Sequence, residues 1–168
     1  YKEIPYSLPQ RAKLSKRPVV VGFGPAGMFA ALYLAQCGVR PIVLERGLDV
    51  DSRKEKVRTF WEKGILDTEC NVQFGEGGAG TFSDGKLNTG TKDLRHRWIL
   101  EQLVACGAPE SILTDALPHV GTDKLHIALR NLRQQLLDAG ADIRFGARLE
   151  GFTAQGGAPV SYTHLRAH

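Results

Sequence analysis

Val19-Val20-Val21-Gly22-Phe23-Gly24-Pro25-Ala26-Gly27-Met28-Phe29-Ala30-Ala31 is the stretch that decides the fold of this chain. Three β-branched residues run directly into a GxGxxG hexapeptide. The residues after it, as far as Gln36, are rich in helix formers until Gly38 ends them. Pro41 to Glu45 is a second apolar run, so Pro18 to Arg46 reads as a strand, a helix and a parallel strand. Each small residue has its own physical reason. Gly22 permits the tight turn out of the strand, Gly24 lacks the Cβ that would keep a pyrophosphate away, and Gly27 and Ala31 let the helix lie close on the strands. The helix N-terminus offers unpaired N–H groups and a partial positive charge to phosphate. Glu45, closing the second strand, is placed to accept the hydroxyl hydrogens of a ribose. A lone GxGxxG is weak, because glycine turns are common; a strand before it, a helix after it and an acid at this distance point to a dinucleotide.

The carboxylate of Glu45 would repel the 2′-phosphate of NADP. Pro25-Ala26 between the glycines and Arg46 after the glutamate resemble the glutathione-reductase-like flavoproteins, which favours FAD over NAD.

Working outward, Val57, Phe60 and Trp61 recur at helical spacing, with Asp51 or Ser52 as the expected N-cap and Gly64 as the stop. Six glycines fall in the sixteen residues from Gly75 to Gly90, too many for a helix or regular strand, so this stretch is expected to be loop. Leu94, Trp98, Ile99 and Leu103 predict a helix ended by Gly107. Leu125, Leu129, Leu132 and Leu136 predict another from about Thr122 to Gly140, and Ile143 to Leu149 alternates as a strand. The order implies an α/β fold: a Rossmann-like domain with an open parallel sheet.

The loop Asn71-Val72-Gln73-Phe74-Gly75-Glu76-Gly77-Gly78-Ala79-Gly80-Thr81-Phe82-Ser83-Asp84-Gly85-Lys86-Leu87 is the least ordinary part of the chain. Closely spaced glycines let several backbone N–H groups converge on an anion or on the polar edge of a ring, and Thr81, Ser83 and Lys86 add donors. Together with VVGFGPAGMFAA, VLERG and PHVGTDKL, it resembles a bacterial family of largely uncharacterised FAD-dependent dehydrogenases, over about Pro18 to Phe152. The resemblance implies FAD as cofactor, with Gly22, Gly24, Pro25, Ala26 and Gly27 at the pyrophosphate and Glu45 at the ribose. It further implies Arg46 and Arg53 along the phosphate and adenosine side, Gly77, Gly78, Ala79 and Gly80 near the flavin, and the backbone of Arg148 and Leu149 under the adenine. It also implies that this chain holds about the first half of a flavin domain, incomplete at the C-terminus.

The formal charge of +4 lies at the ends: residues 1–17 carry +4, Arg166 adds +1, and the stretch between is −1. A nucleic-acid or membrane partner is therefore not expected. Cys37, Cys70 and Cys106 form no CxxC pair, which speaks against zinc or a disulfide framework and suits a reducing cytoplasm. Residues 1–17 read as a linker or the end of an upstream region, the chain opening on Tyr1, and residues 18–159 as the flavin-domain portion. Val160 to His168, VSYTHLRAH, resembles a translated transposase-type sequencing adaptor; it is expected to be a non-native tail outside the fold, so His164 and His168 are set aside as ligands or bases. A parallel sheet with uncovered edges predicts poor solubility.

With FAD, the expected chemistry is hydride transfer between a small-molecule substrate and the flavin, with NAD(P)H as a possible electron donor. The candidates for a catalytic group are His119, Lys86 and Asp84; Cys70 reads as packed core. The other readings are a flavoprotein of RNA modification, which needs a basic surface, and a non-catalytic FAD- or NAD-binding module.

Overall fold

The computed structural model describes residues 14–87, 93, 95–115, 118–156 and 158–166. The arm over residues 1–13, Leu94, the end of the glycine-rich stretch at residues 88–90 and the last two residues of the tail lie outside that set.

β1 (Val19–Val21), α1 (Pro25–Gln36) and β2 (Ile42–Leu44) form the expected unit. β1 and β2 are parallel, with Val20 opposite Val43, and the ladder runs on through the Gly22 N–H to the Leu44 carbonyl (2.7 Å). β3 (Asp142–Arg144) joins on the far side of β2, also parallel, giving the order β1-β2-β3. The fold is α/β with a Rossmann-like three-stranded parallel sheet. α1 and α4 (Thr122–Asp138) share one apolar core with it: Met28, Ala31 and Leu32 from α1, Leu129, Leu132 and Leu136 from α4, and Val43 from β2. Val20 turns toward that core, whereas Val21 on the opposite face of β1 is 58% exposed. A three-residue strand in a parallel sheet gains little by itself; the helices laid over one face hold it.

α2 (Val50–Lys63) begins earlier than its sequence suggests. Its N-cap is Asp49, whose carboxylate accepts from the Asp51 and Ser52 N–H groups, so neither Asp51 nor Ser52 is the cap. Gly64 stops it in the left-handed region, as expected. α3 (Arg95–Ala105) and a 3₁₀ turn at Glu110–Leu113 build a smaller core from Leu103, Ala108, Ile112 and Val120.

The run from Ile143 to Leu149 is not one strand. The backbone turns at Phe145 and Gly146, where Gly146 has φ +62° and donates to the Gly47 carbonyl (3.0 Å), and Phe145 packs edge-on against Phe23. After the turn, β4 (Ala147–Gln155) leaves the parallel sheet and pairs antiparallel with β5 (Ala158–Arg166). The tail set outside the fold by its sequence is thus laid down as a strand through Arg166. It does so in a separate ribbon with register shifts at two places, between Leu149 and Gly151 and between Thr153 and Ala154. Ladder pairing uses N–H and C=O groups that nearly every residue carries, so such a ribbon needs no side-chain pattern.

Candidate functional site

The fingerprint turn is held from inside by Glu45. Its carboxylate, 4% exposed, accepts from the Phe23 N–H through Oε2 (2.6 Å) and from the Gly47 N–H through Oε1 (2.8 Å). Each oxygen keeps a second lone pair, so a ribose hydroxyl can still be accepted there. Gly27 is where the turn and the helix meet: a Cβ on it would stand 1.9 Å from the Gly22 carbonyl oxygen. Gly22 itself has φ +88°. These two glycines are required by the chain's own geometry.

The second glycine loop runs back against this turn. Gly77 donates to the Phe23 carbonyl (2.9 Å), and a Cβ built on Gly24 would lie 3.7 Å from the Cα of Gly78. A Cβ on Gly78 would meet the Pro25 ring at 2.9 Å, and one on Gly77 would meet Thr81 Oγ1 and Leu129. Gly77 therefore faces the interior, in contrast to the expectation that it approaches a flavin. Ala79 and Gly80 open a 3₁₀ turn (Ala79–Phe82) inside the stretch expected to be all loop, and both are exposed.

Gly24 and Gly80 stand apart from the rest. Neither has a positive φ, and a Cβ at Gly80 would meet nothing within 4 Å, while one at Gly24 would make only ordinary van der Waals contact. The chain's own folding does not ask for glycine at either place, and the missing Cβ leaves the backbone there open to close approach. Gly24 is the N-cap of α1 and Gly78, two residues before Gly80, lies against Pro25; the helix has no side-chain cap, begins on Pro25 and leaves its first N–H groups without intrahelical acceptors. Exposed Pro25 and Ala26 complete the rim. Open backbone donors, a helix dipole and two missing Cβ atoms fit a pyrophosphate.

Arg53 is placed otherwise than expected. Its guanidinium is wholly buried, 0% exposed, and donates to the carbonyls of Asn71, Val72, Gly75 and Glu76 at 2.6–3.5 Å, with the Phe82 ring 4.8 Å away. It is spent on shaping the second loop and is not free to reach a cofactor. Arg46 is half-buried over the Phe74 ring (3.9 Å) and paired with Glu69 (3.1 Å). Arg148 reaches the same Glu69 (3.0 Å) from β4, and Ala147 donates to the Glu45 carbonyl (2.9 Å), so this corner lies on the Glu45 side. The backbones of Arg148 and Leu149 are registered against Leu165 and His164 of β5.

The three catalytic candidates come together. Lys86 and His119 form an isolated antiparallel bridge, Lys86 Nζ pairs with Asp84 (2.8 Å), and His119 Nε2 lies 2.5 Å from the Asp84 carbonyl. All three are exposed and engaged with one another. Cys70 is buried, and burial pushes its thiol up, away from reactivity.

Sequence reasoning passed over Glu76 as a functional residue. It is fully buried, accepts from the Val50 N–H and from Arg133, and its carboxyl is pushed up to about 7 by burial. The sequence signal was a charged residue set directly between two glycines. Among the described residues no helix is long and apolar enough to cross a membrane, and no three His, Cys, Asp or Glu side chains gather as a metal site.

No protein-family model matches the chain. A protein of Clostridium beijerinckii, described as an uncharacterized protein, is 52% identical over 145 residues. The match takes in 86% of this chain and 27% of that protein, so the chain spans about a quarter of the relative's length. Among solved structures it is similar to THI4 of Thermovibrio ammonificans, with a TM-score of 0.49 and 18% identity over 88% of this chain and 45% of that one. It is also similar to an L-amino acid deaminase from Proteus vulgaris, with a TM-score of 0.43 and 16% identity over 99% of this chain and 47% of that one. A third, the L-amino acid deaminase from Proteus myxofaciens, has a TM-score of 0.42 and 13% identity over 96% and 45% of the two chains.

Proposed function

We propose that the chain carries the dinucleotide-binding portion of an FAD-dependent oxidoreductase that moves a hydride between a small-molecule substrate and the flavin. The observation that supports it is the convergence of two glycine turns on the open N-terminus of α1, with Gly24 and Gly80 left as glycines that the fold itself does not need. In this reading Gly22, its N–H already spent on the Leu44 carbonyl, makes the turn, Gly24, Ala26 and Gly27 bring backbone N–H groups to the pyrophosphate, and Glu45 accepts from the ribose. Gly78, Ala79 and Gly80 form the wall on which the cofactor runs toward its flavin end. FAD, when bound, supplies the hydride-accepting ring. The chain's part is to orient the dinucleotide and exclude water around its phosphates. Asp84, Lys86 and His119 mark the exposed rim beyond that wall and are offered as substrate-side groups.

The test is a titration of the purified chain with FAD, followed by flavin fluorescence and by the visible spectrum after gel filtration. Co-elution of flavin with protein, and its loss in Gly24→Val, is the expected result. Free FAD eluting wholly apart from the protein overturns the reading. Bleaching of the bound flavin by added NAD(P)H would assign the electron donor.

A further inference from the structure

Glu76 belongs to the second glycine loop but reaches out of it in two directions. Its Oε2 accepts from the Val50 N–H in the first turn of α2 (2.7 Å) and from Arg133 Nη1 on α4 (2.7 Å), while Oε1 is buried with no hydrogen-bond partner. Its backbone is tied as well: the N–H donates to the Leu48 carbonyl (3.0 Å), and the carbonyl accepts from Arg53 Nη1 (2.7 Å). The next residue, Gly77, donates to the Phe23 carbonyl of the fingerprint turn. One residue thus joins the loop to α2 and α4, and its neighbour joins the loop to the fingerprint turn.

An ionised carboxylate is an expensive group for this place. An oxygen shut away from water without a donor destabilises the charged form more than the neutral one. The charged groups that face it are Arg130 and Arg133 from α4, the α2 cap Asp49, and Asp51 and Arg53 from α2. The cation its carboxylate pairs with is shared, because Arg133 also stands 3.8 Å from Asp49.

We propose that Glu76 is a proton-controlled positioning residue: seated between α2 and α4, it fixes the loop that lays Gly78 against Gly24, and protonation of its carboxyl strengthens that seat. The inference rests on reading the two turns as a dinucleotide site. Its sign follows from linkage. Away from the seat the carboxyl titrates at its ordinary value of 4.5, and in the seat burial pushes it up to about 7. Seating therefore takes up a proton; its proton-linked part is fully present below the lower value and is lost as the pH rises through the upper one.

The experiment is amide hydrogen exchange at Glu76 and Gly77 in the full chain without FAD, at about pH 6 and about pH 8 and corrected for intrinsic exchange, with an FAD titration run alongside. Wild-type protection should fall about tenfold between the two conditions. Glu76→Gln, permanently neutral and of the same shape, should show the same corrected protection at both, and Glu76→Ala low protection at both. Wild-type protection that does not change with pH, or a Gln variant that follows the wild type, overturns the proposal whatever FAD does. FAD that fails to bind wild type overturns the functional reading and leaves the exchange result to be judged by itself.

Discussion

The fingerprint turn at residues 22–27 and the loop at residues 75–82 are both glycine-rich and lie against each other, yet they are built by different means. The first is a product of its neighbours in sequence: a strand delivers it, a helix receives it, and the clash a Cβ on Gly27 would make is with Gly22, in the same hexapeptide. The second has no regular element on its N-terminal side. Its first carbonyls, with those of Asn71 and Val72 leading into it, are drawn together by Arg53, 18 to 23 residues away, and its carboxylate is seated on Arg133, 57 residues away. A turn made by local backbone demand announces itself in sequence. A loop made by buried polar side chains from elsewhere shows only its glycines.

The strongest way to break this comparison is Arg53→Met, which keeps the apolar stem and removes the guanidinium's hydrogen bonds to four buried or half-buried carbonyls, of which Gly75 alone keeps a second donor, the Gly78 N–H, among the described hydrogen bonds. Urea unfolding of the purified chain should lose about 4 kcal/mol. A loss under about 1 kcal/mol would mean that the second loop supports itself.

Gly27→Ala tests the first turn. The added Cβ cannot coexist with the Gly22 carbonyl, so α1 must move off the strand, and about 3 kcal/mol of stability should go with it in the same assay. An unfolding midpoint equal to that of wild type would show that the turn tolerates the helix at a greater distance.

Gly80→Ala sharpens the difference between glycines the fold needs and glycines a ligand needs. Its Cβ points into open space, so unfolding should stay within about 0.5 kcal/mol of wild type while FAD affinity falls by about tenfold or more. Unchanged affinity would remove Gly80 from the binding wall. The smallest effect is expected at Val21→Lys on the outward face of β1, where stability should hold within about 0.5 kcal/mol and solubility by precipitation assay should rise, because an exposed apolar edge gains a charge.

What was legible in the sequence follows the same division. The strand, helix and strand from Pro18 to Arg46 could be read because each residue's role is settled within a few positions of it, and the apolar stripe of α4 declared its buried face. The capping of α2 by Asp49 was missed by two residues, since Asp49, Asp51 and Ser52 are all good caps and only the approach of Leu48 and Glu76 to that end sets the boundary. The strand over Ile143 to Leu149 was read as continuous because alternation does not reveal that Gly146 turns to meet Gly47.

The sequence by itself determined that the chain makes a parallel β-α-β unit with an open helix N-terminus and a carboxylate at the end of the second strand, because period, glycine placement and helix propensity are local properties. Tertiary structure alone decided that Arg53 is buried under the second loop instead of lining the cofactor, that Gly77 faces inward while Gly80 faces out, and that Glu76 sits between two helices. The physical reason is that a buried polar group is placed by the partners that satisfy it, and here those partners lie many residues away in the chain.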